Sequence, residues 1–300
     1  ILLLIISIVL FIKIREKKLI RERNILEEKV RIRTEELNRQ KEKIEKAHEQ
    51  ITDSINYASR IQTAMLPQSD SFSEHFSDYF ILFKPKDVVS GDFYWFKKVK
   101  QFNVFAVADC TGHGVPGAFV SMLGISLLNE IIRREEITES GQVLNELRNE
   151  LKISLKQQNY QSDTKDGMDI AFCIFDTVLS TLDYSGANIP LLLIKENTNE
   201  IIEYKPSKNP IGIYYKEKDF ESVKIEIKKN DVIYLFTDGY IDQFNESNGE
   251  KFKIHRLKKI LSHIVKFQML EQKTLLEEEI KEWQGFMNQI DDILIMGLKI

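Results

Sequence analysis

Between Arg15 and Met65 the chain carries neither proline nor glycine, and a charged run of that length without a breaker can settle into little other than a long helix. Along it Val30, Leu37, Ile44, Ile51, Ala58 and Met65 recur at intervals of seven, one seam of a heptad repeat. The second seam, Arg33, Gln40, Ala47, Ser54 and Ile61, is poorer. The spacing predicts a weak parallel coil that joins two copies into a homodimer and shifts register at small cost; a single solvated helix packed on its own domain is the alternative. Proline disfavours helical geometry in the residue before it and cannot extend the hydrogen-bond ladder. Pro67 therefore ends the helix, giving a connector over residues 15–66 and a globular domain over 67–300.

The start of the chain has a different character. Ile1 to Ile12 is apolar apart from Ser7, and at ~1.5 Å per residue it covers about 18 Å of a ~30 Å hydrocarbon core. From Lys13 to Lys43 there are 12 Lys/Arg and 7 Asp/Glu. This pattern predicts that residues 1–14 are the C-terminal part of a transmembrane helix with the basic flank on the cytoplasmic side; a signal-peptide core or the start of a buried helix is the alternative. The whole chain has a net charge of −4, the wrong sign for a general nucleic-acid binder. Cys110 and Cys173 are the two cysteines; they form no CxxC pair and indicate neither a disulfide framework nor a zinc site.

Beyond Pro67, β-rich apolar runs at 79–83, 102–108, 170–175, 190–194, 223–227, 232–236 and 293–298 read as strands. Helical spacing marks 115–134, 142–157, 254–265 and 275–283. Strands with long helices inserted between them predict an α+β sandwich with the helices outside, and 43% apolar content supplies the core.

Four segments each set an aspartate beside a turn-forming residue at the end of an apolar run: Ser90-Gly91-Asp92-Phe93, Ala108-Asp109-Cys110-Thr111-Gly112-His113-Gly114, Phe236-Thr237-Asp238-Gly239 and Ile290-Asp291-Asp292-Ile293. An Asp-Gly pair by itself marks a turn. Carboxylates converging from four strand ends, however, repel one another unless cations lie among them, and an all-oxygen donor set favours Mg²⁺ or Mn²⁺ over zinc.

These motifs, together with Ile55-Asn56-Tyr57-Ala58, Arg60-Ile61-Gln62, Lys84-Pro85-Lys86-Asp87-Val88-Val89, Val115-Pro116-Gly117 and Tyr184-Ser185-Gly186-Ala187-Asn188, resemble in order and separation the bacterial SpoIIE-like branch of the metal-dependent type 2C protein phosphatases. The resemblance covers Ser54 to Ile300. It implies a four-layer αββα sandwich and hydrolysis of phosphoserine or phosphothreonine on a bacterial signalling protein, such as an anti-sigma-factor antagonist, by water activated between two Mn²⁺ or Mg²⁺ ions. With the N-terminal reading, it puts the catalytic domain on the cytoplasmic side of the bacterial inner membrane. By motif position Asp92 and Asp109 are the catalytic residues: Asp109 bridges both ions and Asp92 acts through water. The backbone carbonyl of Cys110 completes one ion, and Asp238 and Asp291 hold the other. Asp292 and Gly239 stand behind Asp291 and Asp238 or replace them as ligands. Lys84 or Lys86 takes the place of a phosphate-binding arginine. The histidine lies farther from the bridging aspartate than in the wider type 2C family, so His113 reads as a loop residue that shapes the turn. Asp169 precedes an apolar strand and reads as a turn or strand-entry residue, with a place facing the metals as the alternative.

Two rival readings compete. Ala47-His48-Glu49 on a helix, with Asp109-x-x-Gly112-x-Gly114, resembles a sensor histidine kinase, but that reading leaves Thr237-Asp238-Gly239 and Asp291-Asp292 without a task. The other is a catalytically inactive scaffold on the same fold, against which the complete acidic set argues.

Overall fold

The computed structural model describes the chain except for Ser69, residues 135–138, residues 158–164, Asn197 and Asn199. In chain order the elements are α1 (Leu2–Met65), α2 (Asp70–Ser73), β1 (Asp78–Lys84), β2 (Phe93–Val99), β3 (Phe102–Cys110), α3 (Gly114–Arg134), α4 (Ser140–Ser154), β4 (Met168–Asp176), β5 (Thr181–Ala187), β6 (Leu191–Ile194), β7 (Ile201–Tyr204), β8 (Val223–Glu226), β9 (Val232–Phe236), α5 (Asp238–Asp242), α6 (Ile254–Ile264), α7 (Met269–Gln284) and β10 (Ile293–Lys299). Contacts divide the chain into two units, Ile1–Asn56 and Tyr57–Ile300.

The first unit is helix α1 as far as Asn56, exposed except at the half-buried Ile55. Ion pairs one turn apart lie along it, Arg31 bonding Glu28 at 2.7 Å and Glu35 at 2.8 Å and Arg33 bonding Glu36 at 2.9 Å; fully exposed to water and salt, they support the helix only weakly. The heptad residues Val30, Leu37, Ile44 and Ile51 are all exposed. Among the described residues the helix with an apolar stretch of membrane-crossing length is α3, whose Ile125, Leu128 and Ile131 are buried in the core of the second unit.

That second unit contains two five-stranded antiparallel sheets, ordered β1-β10-β9-β6-β7 and β2-β3-β4-β5-β8. Three apolar layers follow from the alternation of side chains along the strands. Phe105, Val107, Ala171, Cys173, Leu193, Leu235 and Met296 fill the space between the sheets. On the outer face of the β3 sheet, Val104, Ala106 and Phe172 meet Leu128 of α3 and Leu147 of α4. On the outer face of the β9 sheet, Tyr234 and Ile295 meet Leu261 of α6 and Ile280 of α7. The order is therefore helices, sheet, sheet, helices. Because both faces of the central strands are covered, β3, β4, β9 and β10 read as continuous apolar runs rather than as alternation.

All seven expected strands and four expected helices form, and β2, β5 and β7 are additional. Strand β2 follows Asp92 directly and joins β3 through a two-residue turn in which Lys100 has φ of 52°. β5 carries Asp183, Ser185 and Gly186, residues depleted in strands, yet Asp183 is buried because it accepts the Ser140 hydroxyl at 2.7 Å at the start of α4.

The compact unit begins before Pro67. Gln62, on the last turns of α1, is buried; its amide nitrogen donates to the Ser90 carbonyl at 2.6 Å and its amide oxygen accepts from the Ser90 amide at 3.0 Å. The side chain thus pairs both backbone groups of the residue that leads into Gly91 and Asp92. Gln62→Ala would leave the buried Ser90 amide unpaired and its carbonyl with only the longer bond from the Ser121 hydroxyl at 3.3 Å, and is expected to lower stability by about 1–3 kcal/mol, read from chemical denaturation.

Candidate active site

Antiparallel pairing places the end of one strand beside the start of the next, and this register gathers the aspartates. In one sheet Asp92 precedes β2, Asp109 lies at the end of β3 and Asp169 at the start of β4, with Asp109 directly opposite Asp169. In the other, β9 ends one residue before Thr237-Asp238, and Asp291-Asp292 leads into β10. A cavity of about 230 Å³ opens here, lined by Asp109, Cys110, Thr111, Gly112, His113, Met168, Asp169, Pro210 and Asp291.

Burial and mutual repulsion govern these groups. Burial first, and then the charges of Asp238, Asp291 and Asp169, raise Asp109 to about 8, while hydrogen bonding with Asp92 offsets part of the rise. Asp92 is raised well above the usual carboxylate range, again by burial and then by Asp109. Its one compensation is the Thr237 hydroxyl, which donates to Asp92 Oδ2 at 2.7 Å across the gap between the sheets. Burial and then Asp291 raise Asp238, which hydrogen-bonds Asp109. Asp92 is buried and Asp238 is exposed; neither lines the cavity, and both are joined to it through Asp109.

Asp291 and Asp292 have different surroundings. Asp291 lines the cavity, whereas both oxygens of the buried Asp292 are engaged, Oδ1 by the Lys86 amide and Oδ2 by the Gly91 amide, each at 2.7 Å. Asp292 clamps the Lys86–Gly91 segment onto the start of β10. Gly239 plays a steric part: a Cβ there would run into the Asp292 backbone carbonyl. Gly112 has φ of 83°, and its carbonyl lies where a Cβ on Gly117 would fall, so the loop after Asp109 turns tightly into α3 as its glycines predicted.

Three expectations change in detail. Asp169 does lead into a strand, but it also lines the cavity; burial raises it to about 6, countered by the Asn188 amide that donates to it at 2.8 Å. Asn188 belongs to the Tyr184–Asn188 motif, whose place in the site could not be read before β4 and β5 were paired. Lys84 ends β1 and does not line the cavity; its carbonyl accepts from Gln289. Lys86 reaches the rim, with its Nζ 3.0 Å from His113 Nε2 while His113 Nδ1 lies 2.8 Å from Asp87. His113 is therefore held between a cation and a carboxylate as well as shaping its loop. Burial, with Asp109 next, raises the Cys110 thiol well above its ordinary value, the reverse of what a thiolate nucleophile requires.

Two antiparallel sheets packed face to face between helices, with aspartates gathered at one end, define a PP2C-type phosphatase fold. The family model described as Stage II sporulation protein E (SpoIIE) matches residues 103–300, and the chain belongs to that family: it contains a SpoIIE/PP2C-type serine/threonine phosphatase domain. The SiaA PP2C domain of Pseudomonas aeruginosa is similar at 30% identity and a TM-score of 0.75, over 85% of this chain and 98% of that one. At lower identity, the fold is shared with a structure of the PP2C phosphatase domain and a regulatory fragment of SpoIIE from Bacillus subtilis (20% identity, TM-score 0.59, 74% of this chain and 61% of that one). It is also shared with RsbX in complex with magnesium (17% identity, TM-score 0.51, 74% and 94%). No curated protein matches the chain.

The raised carboxylates have a consequence for stability. Asp109 holds its proton up to about pH 8 in the metal-free fold but only to ~3.9 when unfolded, so the folded state binds the extra proton and stability falls as pH rises between those values. Metal-free Asp109→Asn should match the parent near pH 4 and be the more stable of the two at pH 8 in thermal unfolding. Equal pH profiles would show that Asp109 carries no such strain.

Proposed function

We propose that the domain is a two-metal protein phosphatase in which Asp109, Asp238, Asp291 and the Cys110 carbonyl hold Mn²⁺ or Mg²⁺, with Asp92 behind them. The observation that carries this reading is the convergence of carboxylates from both sheets, Asp92 buried, Asp109 half-buried and Asp238 at the more exposed side, each of the three raised first by loss of solvent around its carboxyl and then by its neighbours. Such a donor set fits hard cations, and the fold is that of RsbX, which was crystallised with magnesium. Among the described residues no three His, Cys, Asp or Glu side chains already stand in metal-holding geometry. When bound, the ions supply the charge that draws these groups together and the Lewis acidity that activates water for attack at phosphorus.

The chain's own residues provide the remainder. Lys86 Nζ, held at the rim beside His113, offers a positive charge to phosphate oxygens. The Asp292 clamp and the Gln62 bonds to Ser90 keep the segment bearing Lys86 and Asp92 in place. The buried, proton-retaining Cys110 takes no nucleophilic part, so no phosphocysteine intermediate forms. The substrate of this reading is a phosphorylated regulator of the anti-sigma-factor-antagonist kind. The exposed heptad row Val30, Leu37, Ile44 and Ile51 supports pairing with a second copy, and the apolar run 1–12 with its basic flank supports seating of the N-terminus in a bilayer on its cytoplasmic side.

With Mn²⁺, the full chain should release phosphate from a phosphoserine peptide; chelator or Asp109→Asn should abolish release, and Cys110→Ser should retain it. Intact peptide under all conditions despite bound metal would turn the reading to a scaffold, and ATP-dependent labelling of His48 to a kinase. In lipid vesicles the chain should float with the lipid and cross-link as a dimer, and Leu37→Lys with Ile44→Lys should reduce the cross-link while flotation persists.

A further inference from the structure

Beside the catalytic cavity lies a second and larger one, a groove of about 600 Å³ whose lining includes Asn188, Lys205, Lys208, Tyr214, Phe236 and Ile241. Three segments run from one to the other. Asn188 lines the groove and donates to Asp169 of the catalytic cavity. The loop after β7 lends Lys205 and Lys208 to the groove and Pro210 to the cavity. Phe236 and Ile241 flank Asp238, at the end of β9 and within α5.

The groove is built in advance. The Asn188 amide donates to the Ser207 carbonyl at 3.0 Å and the Ser207 amide to Gly186 at 2.8 Å; Ile211 and Met168 exchange both backbone bonds, and Asn209 Oδ1 accepts from the Lys218 amide at 3.1 Å. A loop tied down in this way loses little further freedom when a ligand lies along it. Its chemistry combines an apolar floor with positive charge. Lys205 and Lys208 are exposed and make no ion pair among the described residues, whereas Glu203 in the same lining is neutralised by Lys258 at 2.8 Å. These two cations stand next to a cavity of carboxylates, which by itself would repel an acidic chain approaching with its phosphate.

We infer that this groove is the docking site for the chain that flanks the phosphorylated residue of the substrate, and that it selects an extended segment carrying acidic side chains beside an apolar one. Lys205 and Lys208 take the carboxylates, while the floor between Tyr214 and Ile241 takes the apolar side chain. The inference rests on the phosphatase reading of the adjacent cavity and adds the class of sequence that the site prefers. Electrostatic complementarity of this kind acts on recognition rather than on the chemical step.

The test uses the full chain with Mn²⁺ and three substrates: p-nitrophenyl phosphate, a phosphoserine peptide flanked by Glu and Leu, and the same peptide with Lys in place of Glu. The parent should show a KM about tenfold lower for the acidic peptide than for the basic one. Lys205→Glu with Lys208→Glu should erase that preference, leaving kcat and the hydrolysis of p-nitrophenyl phosphate within about twofold of the parent. Lys205→Gln with Lys208→Gln should fall between. Equal KM values in the parent, or a preference that survives charge reversal, would overturn the groove as the docking site. If the parent hydrolyses none of the three, the catalytic reading fails separately. Fluorescence anisotropy of the labelled peptides then decides the groove: tighter binding of the acidic one, lost on charge reversal, supports it, and equal binding removes it.

Discussion

Carboxylates crowded together where the strand ends of two sheets meet are the constraint to which the rest of the domain is fitted. Asp109, Asp92 and Asp238 are each raised first by burial and then by another member of the group. No unassisted polypeptide would choose this arrangement, because each charge disfavours the next. It persists because two packed sheets, with apolar layers on both faces of each, hold the strand ends where they are. The core thus carries the strain.

Around this centre the supporting residues work by occupying backbone groups. Asp292 spends both oxygens on the Lys86 and Gly91 amides, Gln62 pairs both backbone groups of Ser90, and the Thr237 hydroxyl joins one sheet to the Asp92 carboxylate of the other. Together they fix the segment from Lys86 to Asp92 from three sides. Asp292, both of whose oxygens are already used, differs in this from its neighbour Asp291, which lines the cavity. Chemistry and support are divided between adjacent residues, since successive side chains near a strand start point to opposite sides.

Much of the site was legible because its chemistry needs turn residues beside acids at strand ends, and these stand out locally as Gly91-Asp92, Asp109 with Gly112, and Asp238-Gly239. Most of the fold was legible too, since strands covered on both faces are long apolar runs. β2, β5 and β7 were missed for local reasons: β2 abuts a motif, β5 carries Asp183, Ser185 and Gly186, and β7 is short. Asp169 was undervalued because its partner Asp109 lies sixty residues earlier in the chain and only the pairing of β3 with β4 sets them opposite each other.

The sequence by itself determined the long helix, its heptad row, the order of acidic motifs and the family to which they belong, because each depends on neighbours within a few residues or on a pattern carried along the chain. Tertiary structure alone decided which carboxylates meet, that Asp291 rather than Asp292 faces the cavity, that Lys86 and not Lys84 reaches the rim, and that Asn188 ties a lysine-edged groove to the catalytic cavity. Those outcomes depend on strand register and sheet packing, which join residues far apart in the chain, and the electrostatic energy of a charged group depends on what that packing brings within a few ångströms of it.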